Sequence, residues 1–206
     1  MTEYLMANWV EITGAVLSVV YLILSIREKA GLWIFGFISS ALYVVVFFES
    51  KFYADMSLQF YYLAVSVYGW ITWRRKTTAT ETGSLPVTLI PRKQYPGYVI
   101  AVAVTYLIYF AVLKGWTDSP VPVLDSLVGA LSVIATWMLA RKKIENWLFW
   151  IVADALAAGL FVYKGLYPTV VLYLIYTVMA VVGYFEWKKH LRIVTGKVED
   201  ILTKRN

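Results

Sequence analysis

The chain has no cysteine and only one histidine, His190, in 206 residues. Without thiols there is no disulfide framework and no thiolate metal site. One histidine in a basic tail cannot build an imidazole metal cluster, a catalytic pair or haem ligation within an apolar segment. No glycine-rich loop followed by lysine is present to cradle phosphate. An aspartyl hydrolase pair would need a second carboxylate at the depth of Asp154, and none is there. No cofactor, metal or catalytic residue is therefore expected. Charge is also scarce, at 16% of residues. A cleavable secretory leader is not expected either, because the first seven residues hold Glu3 and no Lys or Arg, and the first apolar run is long enough to span a membrane.

Apolar material is abundant. Hydrophobic residues make up 60% of the chain and the mean hydropathy is +0.65, more than a soluble domain of this size can bury. Spanning a bilayer takes roughly 17–25 mostly apolar residues. Seven stretches meet or approach that length: about 8–26, 32–48, 54–73, 98–113, 124–140, 146–163 and 167–187. The expected fold is an all-α membrane protein with seven transmembrane helices. Sixteen of the nineteen Lys and Arg residues fall on one side of these spans, and only Lys51, Lys114 and Lys164 on the other. Short cytoplasmic loops collect basic residues, so the N-terminus is expected outside and the C-terminus in the cytoplasm. The net charge of +6 is thus a topology signal rather than a nucleic-acid patch.

A gapless internal repeat organises the chain. Adding 114 maps residues 10–73 onto 124–187, placing Arg27 on Arg141, Trp33 on Trp147, Tyr53 on Tyr167, Gly69 on Gly183 and Trp73 on Trp187. Matched Trp, Tyr, Gly and Arg are not what chance similarity between apolar helices produces. Residues 1–73 then form a first three-helix repeat. Residues 74–123 form a linker plus a connecting span at about 98–113, residues 124–190 a second repeat, and 191–206 a cytoplasmic tail, either a short surface helix or disordered. The linker opens with the polar run Thr77–Ser84 and continues through Pro86, Pro91 and Pro96. Because three plus one crossings is even, the repeats have parallel orientation, a plan in which transport sites lie at mid-depth between repeats.

The repeats differ where chemistry is expected. Asp154 maps on Ser40, Trp150 on Gly36, Asn146 on Leu32, and Gln59 on Tyr173. Trp147, Trp150 and Asp154 fall at i, i+3 and i+7 on one helix face. A carboxylate inside a span is costly unless it meets a cavity or partner, and so marks a functional site. On the third span Gln59, Tyr62 and Ser66 share a face by the same spacing. The expected substrate-binding residues are Asp154, Trp150, Trp147, Gln59, Asn146, Tyr62, Ser66 and Tyr173. Asp154 and Gln59 would hold the polar edge of a flat ligand, with the tryptophans stacked on its ring for roughly 0.5–2 kcal/mol if the ring is cationic. Trp147 also suits a membrane-interface belt. Glu11 and Asp125 read as structural or vestibule residues, and Asp55 and Glu145 as acids favoured at helix starts.

Phe52-Tyr53-Ala54-Asp55 with Leu58-Gln59, Tyr68-Gly69-Trp70 with Trp73, and Glu145-Asn146-Trp147 with Trp150 together resemble the Pnu family of bacterial B-vitamin transporters over about residues 9–190. The resemblance implies a 3+1+3 helix plan similar to the sugar-transporting SWEET proteins, facilitated uptake across the cytoplasmic membrane with trapping by phosphorylation inside the cell, and a homo-oligomer, as a trimer. It also implies that nicotinamide riboside carriers of the PnuC type have Asn where this chain has Asp154. A carboxamide offers both acceptor and donors and suits Asn, whereas a carboxylate only accepts. The thiamine-transporting PnuT branch is therefore the first expectation, with nicotinamide riboside the alternative and riboflavin behind it. A non-transporting membrane receptor or scaffold is the remaining class.

Overall fold

The computed structural model describes residues 9–49, 53–75, 85–117 and 119–203. Its described residues form seven α-helices: α1 Trp9–Ile26, α2 Leu32–Glu49, α3 Tyr53–Arg74, α4 Tyr95–Trp116, α5 Pro122–Ala140, α6 Asn146–Tyr163 and α7 Tyr167–Thr203. Each expected span is thus helical. Four helical segments, 92–116, 122–140, 146–163 and 167–191, are long and apolar enough to cross a membrane. The fourth span is longer than its apolar run, because Pro96 is accepted in the first turn and the helix continues to Trp116. The tail also departs from expectation: α7 continues without a break to Thr203, since residues 188–203 contain no proline to stop it. The polar run at 77–84 and the side chains of Glu11 and Asp55 lie outside the described residues.

Backbone detail recurs at a spacing of 114. The bounds of α2 and α6 differ by that number, and both helices have 18 residues. The helices before them each end in a left-handed residue, Glu28 at φ 54° and Lys142 at φ 48°. At the first end Glu28 N–H donates to Ser25 O and Lys29 N–H to Leu24 O. At the second, Lys142 N–H donates to Leu139 O and Lys143 N–H to Met138 O. This is the Schellman pattern, in which the last carbonyls of a helix are satisfied by the chain curling back. Glycine is usual at its left-handed position, so Glu and Lys there each carry strain of about 1 kcal/mol.

The chain forms two compact bodies, residues 1–71 and 72–206. In the first, the Trp33 indole is buried against Gly69, where an added Cβ would lie 2.3 Å from the ring. Gly36 on α2 similarly abuts the Ser66 hydroxyl and the Tyr21 ring. A cavity of about 210 Å³ lies beside it, lined by Trp33, Ile34, Phe37, Ser66, Val67 and Trp70.

In the second body α5, α6 and α7 pack through small residues. Ala130, Ala135 and Ala140 on α5 and Ala153 and Ala157 on α6 are almost fully buried. The Trp147 indole abuts Gly183, where a Cβ would meet it at 2.7 Å, and stands edge-on to Trp187 at 5.4 Å. Trp73 lies 6.1 Å from Trp187 and donates its indole N–H to the carbonyls of Leu139 and Ala140 at the end of α5. The buried Lys142 ammonium sits 4.7 Å over the Trp73 ring.

The second half of the linker is pinned rather than free. Thr88 pairs with the α5–α6 turn through Thr88 N–H to Lys142 O and Ile144 N–H to Thr88 O. Lys143 Nζ donates to Thr88 Oγ1 and Leu89 O. Val87 and Ile90 are buried. Glu145 does not cap its own helix; its Oε1 accepts the Ile90 N–H at 2.8 Å. Residues 85–91 therefore act as a strap across the turn.

Candidate functional site

On α6 the face predicted from spacing is present and mostly buried. Asp154 is 6% exposed, and Trp150, one turn earlier, is half-buried. Ala153, Ala157 and Ala158 are buried around Asp154, so the helix has no bulk there to shield the carboxylate. Among the described residues Asp154 makes no hydrogen bond or ion pair. A carboxyl group in that state is free to take a hydrogen-bond partner. Asp125, by contrast, is fully engaged: it accepts from Ser119 Oγ at 2.5 Å and pairs with Lys164 at 3.1 Å, which makes it structural.

At the start of α6, Asn146 is wholly buried and donates its Nδ2 to Lys143 O, while its Oδ1 and the Trp147 indole N–H have no partner among the described residues. The Trp147 ring is enclosed by Gly183 and Trp187, so it serves helix packing, and Trp150 is left as the more open ring. Tyr173 on α7 is half-buried and packs against Phe161 at 5.0 Å and Tyr176 at 5.4 Å.

Gln59, Tyr62 and Ser66 lie on α3 in the first body. Gln59 and Tyr62 are half-buried, and the Tyr62 ring meets Tyr61 at 5.4 Å. Ser66 is buried and lines the 210 Å³ cavity. Spacing thus located polar residues within each body. It missed Glu145, whose partner is 55 residues away in the linker; the apolar Val87 and Ile90 amid prolines were the only hint that this linker was held. Among the described residues no three His, Cys, Asp or Glu side chains gather as a metal site.

An apolar helical chain with a largely buried acid and, one turn earlier on the same helix, a half-buried aromatic ring is an arrangement suited to a solute. The family model for nicotinamide mononucleotide transporters matches residues 8–189. The chain belongs to that family. Among curated relatives, the nicotinamide riboside transporter PnuC of Escherichia coli (strain K12) is 26% identical over 203 residues, covering 87% of this chain and 85% of the relative. PnuC of Neisseria mucosa is 25% identical, covering 92% and 76%. The riboflavin/roseoflavin transporter RibM of Streptomyces davaonensis is 23% identical, covering 87% and 84%. The crystal structure of the vitamin B3 transporter PnuC is similar with a TM-score of 0.71 and 25% identity over 90% of this chain and 83% of that one. These relatives are transporters rather than enzymes, which places this chain in a family of membrane transporters for B-type vitamins. None of them bears the name of a thiamine carrier, so they favour nicotinamide riboside over the thiamine expectation drawn from Asp154.

Proposed function

We propose that this protein is a facilitator that brings nicotinamide riboside across the cytoplasmic membrane, with phosphorylation inside the cell preventing its return. The observation that carries the reading is the match along residues 8–189, together with relatives named for that nucleoside on either side of 25% identity. Within the site, Trp150 stacks on the pyridinium ring and Asp154 accepts the carboxamide N–H₂. Asn146 and Tyr173 of the same body are secondary contacts proposed from their positions in the repeat, and on the first body Gln59, Tyr62 and Ser66 are proposed, from their spacing, as a polar face of its own. The two three-helix units are proposed to be parallel repeats joined by α4, a reading supported by the recurrence of helix bounds and left-handed turns at 114 residues. The basic residues support an external N-terminus.

Asp154 sustains one second reading. A carboxylate without a donor suits the amino group or protonated ring nitrogen of thiamine's aminopyrimidine better than it suits a carboxamide carbonyl. Titration of purified protein with nicotinamide riboside, thiamine and riboflavin, and uptake of each labelled compound by expressing cells, decide between them. Tight binding of nicotinamide riboside alone supports the first reading. Binding of thiamine alone replaces it with the second, and uptake of none returns the chain to a receptor or scaffold role.

A further inference from the structure

A second site lies away from the vitamin face. Helices α4, α5 and α6 of the second body enclose an open groove of about 750 Å³. Its walls are apolar, formed by residues such as Val102, Tyr106, Leu127, Leu131, Leu148 and Phe149. No residue of α4 is buried, and its Val99, Ile100, Leu107 and Ile108 are more than half exposed, an apolar flank suited to contact with acyl chains. Beside the phenols of Tyr95, Tyr98 and Tyr106, one charged group lines the groove, the carboxylate of Glu145, 8% exposed. Its Oε1 is taken by Ile90 N–H, but its Oε2 is buried with no partner among the described residues. Lys143, two residues earlier, lies close enough to attract the carboxylate, but its ammonium donates its hydrogen bonds to Thr88 and Leu89 rather than to Oε2. Two residues beyond Ile90, the exposed Arg92 and Lys93 begin a 3₁₀ turn leading into α4.

We propose that this groove is a phospholipid site that selects a primary-ammonium headgroup, that of phosphatidylethanolamine. The acyl chain fills the apolar groove, the headgroup N–H₃⁺ donates to Glu145 Oε2, and the phosphate lies against Arg92 and Lys93. Each part of the ligand answers a different feature. An ionised carboxylate only accepts, and leaving it unpaired when buried is expensive, so the occupant has to bring a donor. A donor on an apolar tail with an adjacent anion is the chemistry of this lipid. Phosphatidylcholine lacks the N–H, and phosphatidylglycerol lacks the cation. The site uses the second body alone and holds whichever vitamin is carried.

The test is native mass spectrometry of the full-length protein in detergent, titrated with the three lipids carrying identical acyl chains. Phosphatidylethanolamine is expected to bind roughly tenfold tighter than phosphatidylcholine, the effect of one charge-assisted hydrogen bond. Glu145→Gln keeps an oxygen for Ile90 N–H and is expected to bring the two lipids level. Ala103→Trp, on the open groove wall, is expected to weaken all three lipids. Equal binding of ethanolamine and choline lipids to the native protein overturns the proposal, as does a preference that survives Glu145→Gln. Phosphatidylglycerol binding as tightly as phosphatidylethanolamine overturns it in favour of simple phosphate attraction. Should Glu145→Gln fail to fold, unchanged lipid binding by Ala103→Trp still refutes the groove.

Discussion

The two bodies solve the same packing problem with the same residues and then part company one turn later. Trp33 against Gly69 in the first body has its counterpart in Trp147 against Gly183 in the second. At the next position along the helix face the first body has Gly36, closed over by Ser66 and Tyr21, while the second has the half-buried Trp150. Four residues on, the first body has a buried Ser40 at the position where the second has a buried Asp154. Shared positions hold helices together, and unshared ones carry the aromatic and acidic groups proposed to meet a solute. The comparison separates architecture from chemistry without reference to any other protein.

The sharpest way to break the comparison is at the shared glycines. Gly69→Ala and Gly183→Ala each drive a methyl into an indole and are expected to lower stability by about 1–3 kcal/mol, read as a loss of melting temperature in detergent. Gly159→Ala on α6, with nothing within 4 Å, is expected to be neutral or to gain about 0.5–1 kcal/mol. Equal effects at all three positions would remove the packing account.

At the unshared positions the readout moves from stability to affinity. Trp150→Ala is expected to weaken vitamin binding by about 0.5–2 kcal/mol with little change in melting temperature. Trp147→Ala is expected to do the reverse and destabilise the fold first. Asp154→Asn sets an amide donor beside the acceptor at this position, and is expected to strengthen nicotinamide riboside binding by about 0.5–1.5 kcal/mol while weakening thiamine by a similar amount. The matched change Ser40→Asn should leave the preference between the two vitamins as it was. A titration in which Asp154→Asn shifts neither ligand would detach this residue from recognition.

The smallest effect concerns the left-handed residues. Glu28→Gly relieves backbone strain and is expected to raise stability by about 1 kcal/mol. Lys142→Gly relieves the same strain but removes the cation over Trp73, so its gain should be smaller or absent by thermal unfolding.

Much of this was legible in the sequence. Apolar length placed the helices, because a span must satisfy its backbone internally, and Trp33, Gly69, Trp147 and Gly183 announced the recurrence by their rarity. The i, i+3, i+7 spacing placed Trp147, Trp150 and Asp154 on one face. What spacing could not reveal was which ring is enclosed, since that depends on Gly183 from another helix. Nor could it tell that Glu145 would reach Ile90 rather than serve its own helix, because a contact across 55 residues leaves no local periodicity. The choice between vitamins was read from one acidic side chain, and the relatives, weighing the whole chain, point the other way.

The strap has a practical consequence. Residues 85–91 are held to the α5–α6 turn by hydrogen bonds that all lie on the C-terminal side of the polar run at 77–84. Cleavage at a protease site placed in that run would interrupt the covalent chain without touching any of those bonds. The protein should therefore tolerate being made as two co-expressed polypeptides, the later one carrying its own anchor for α4.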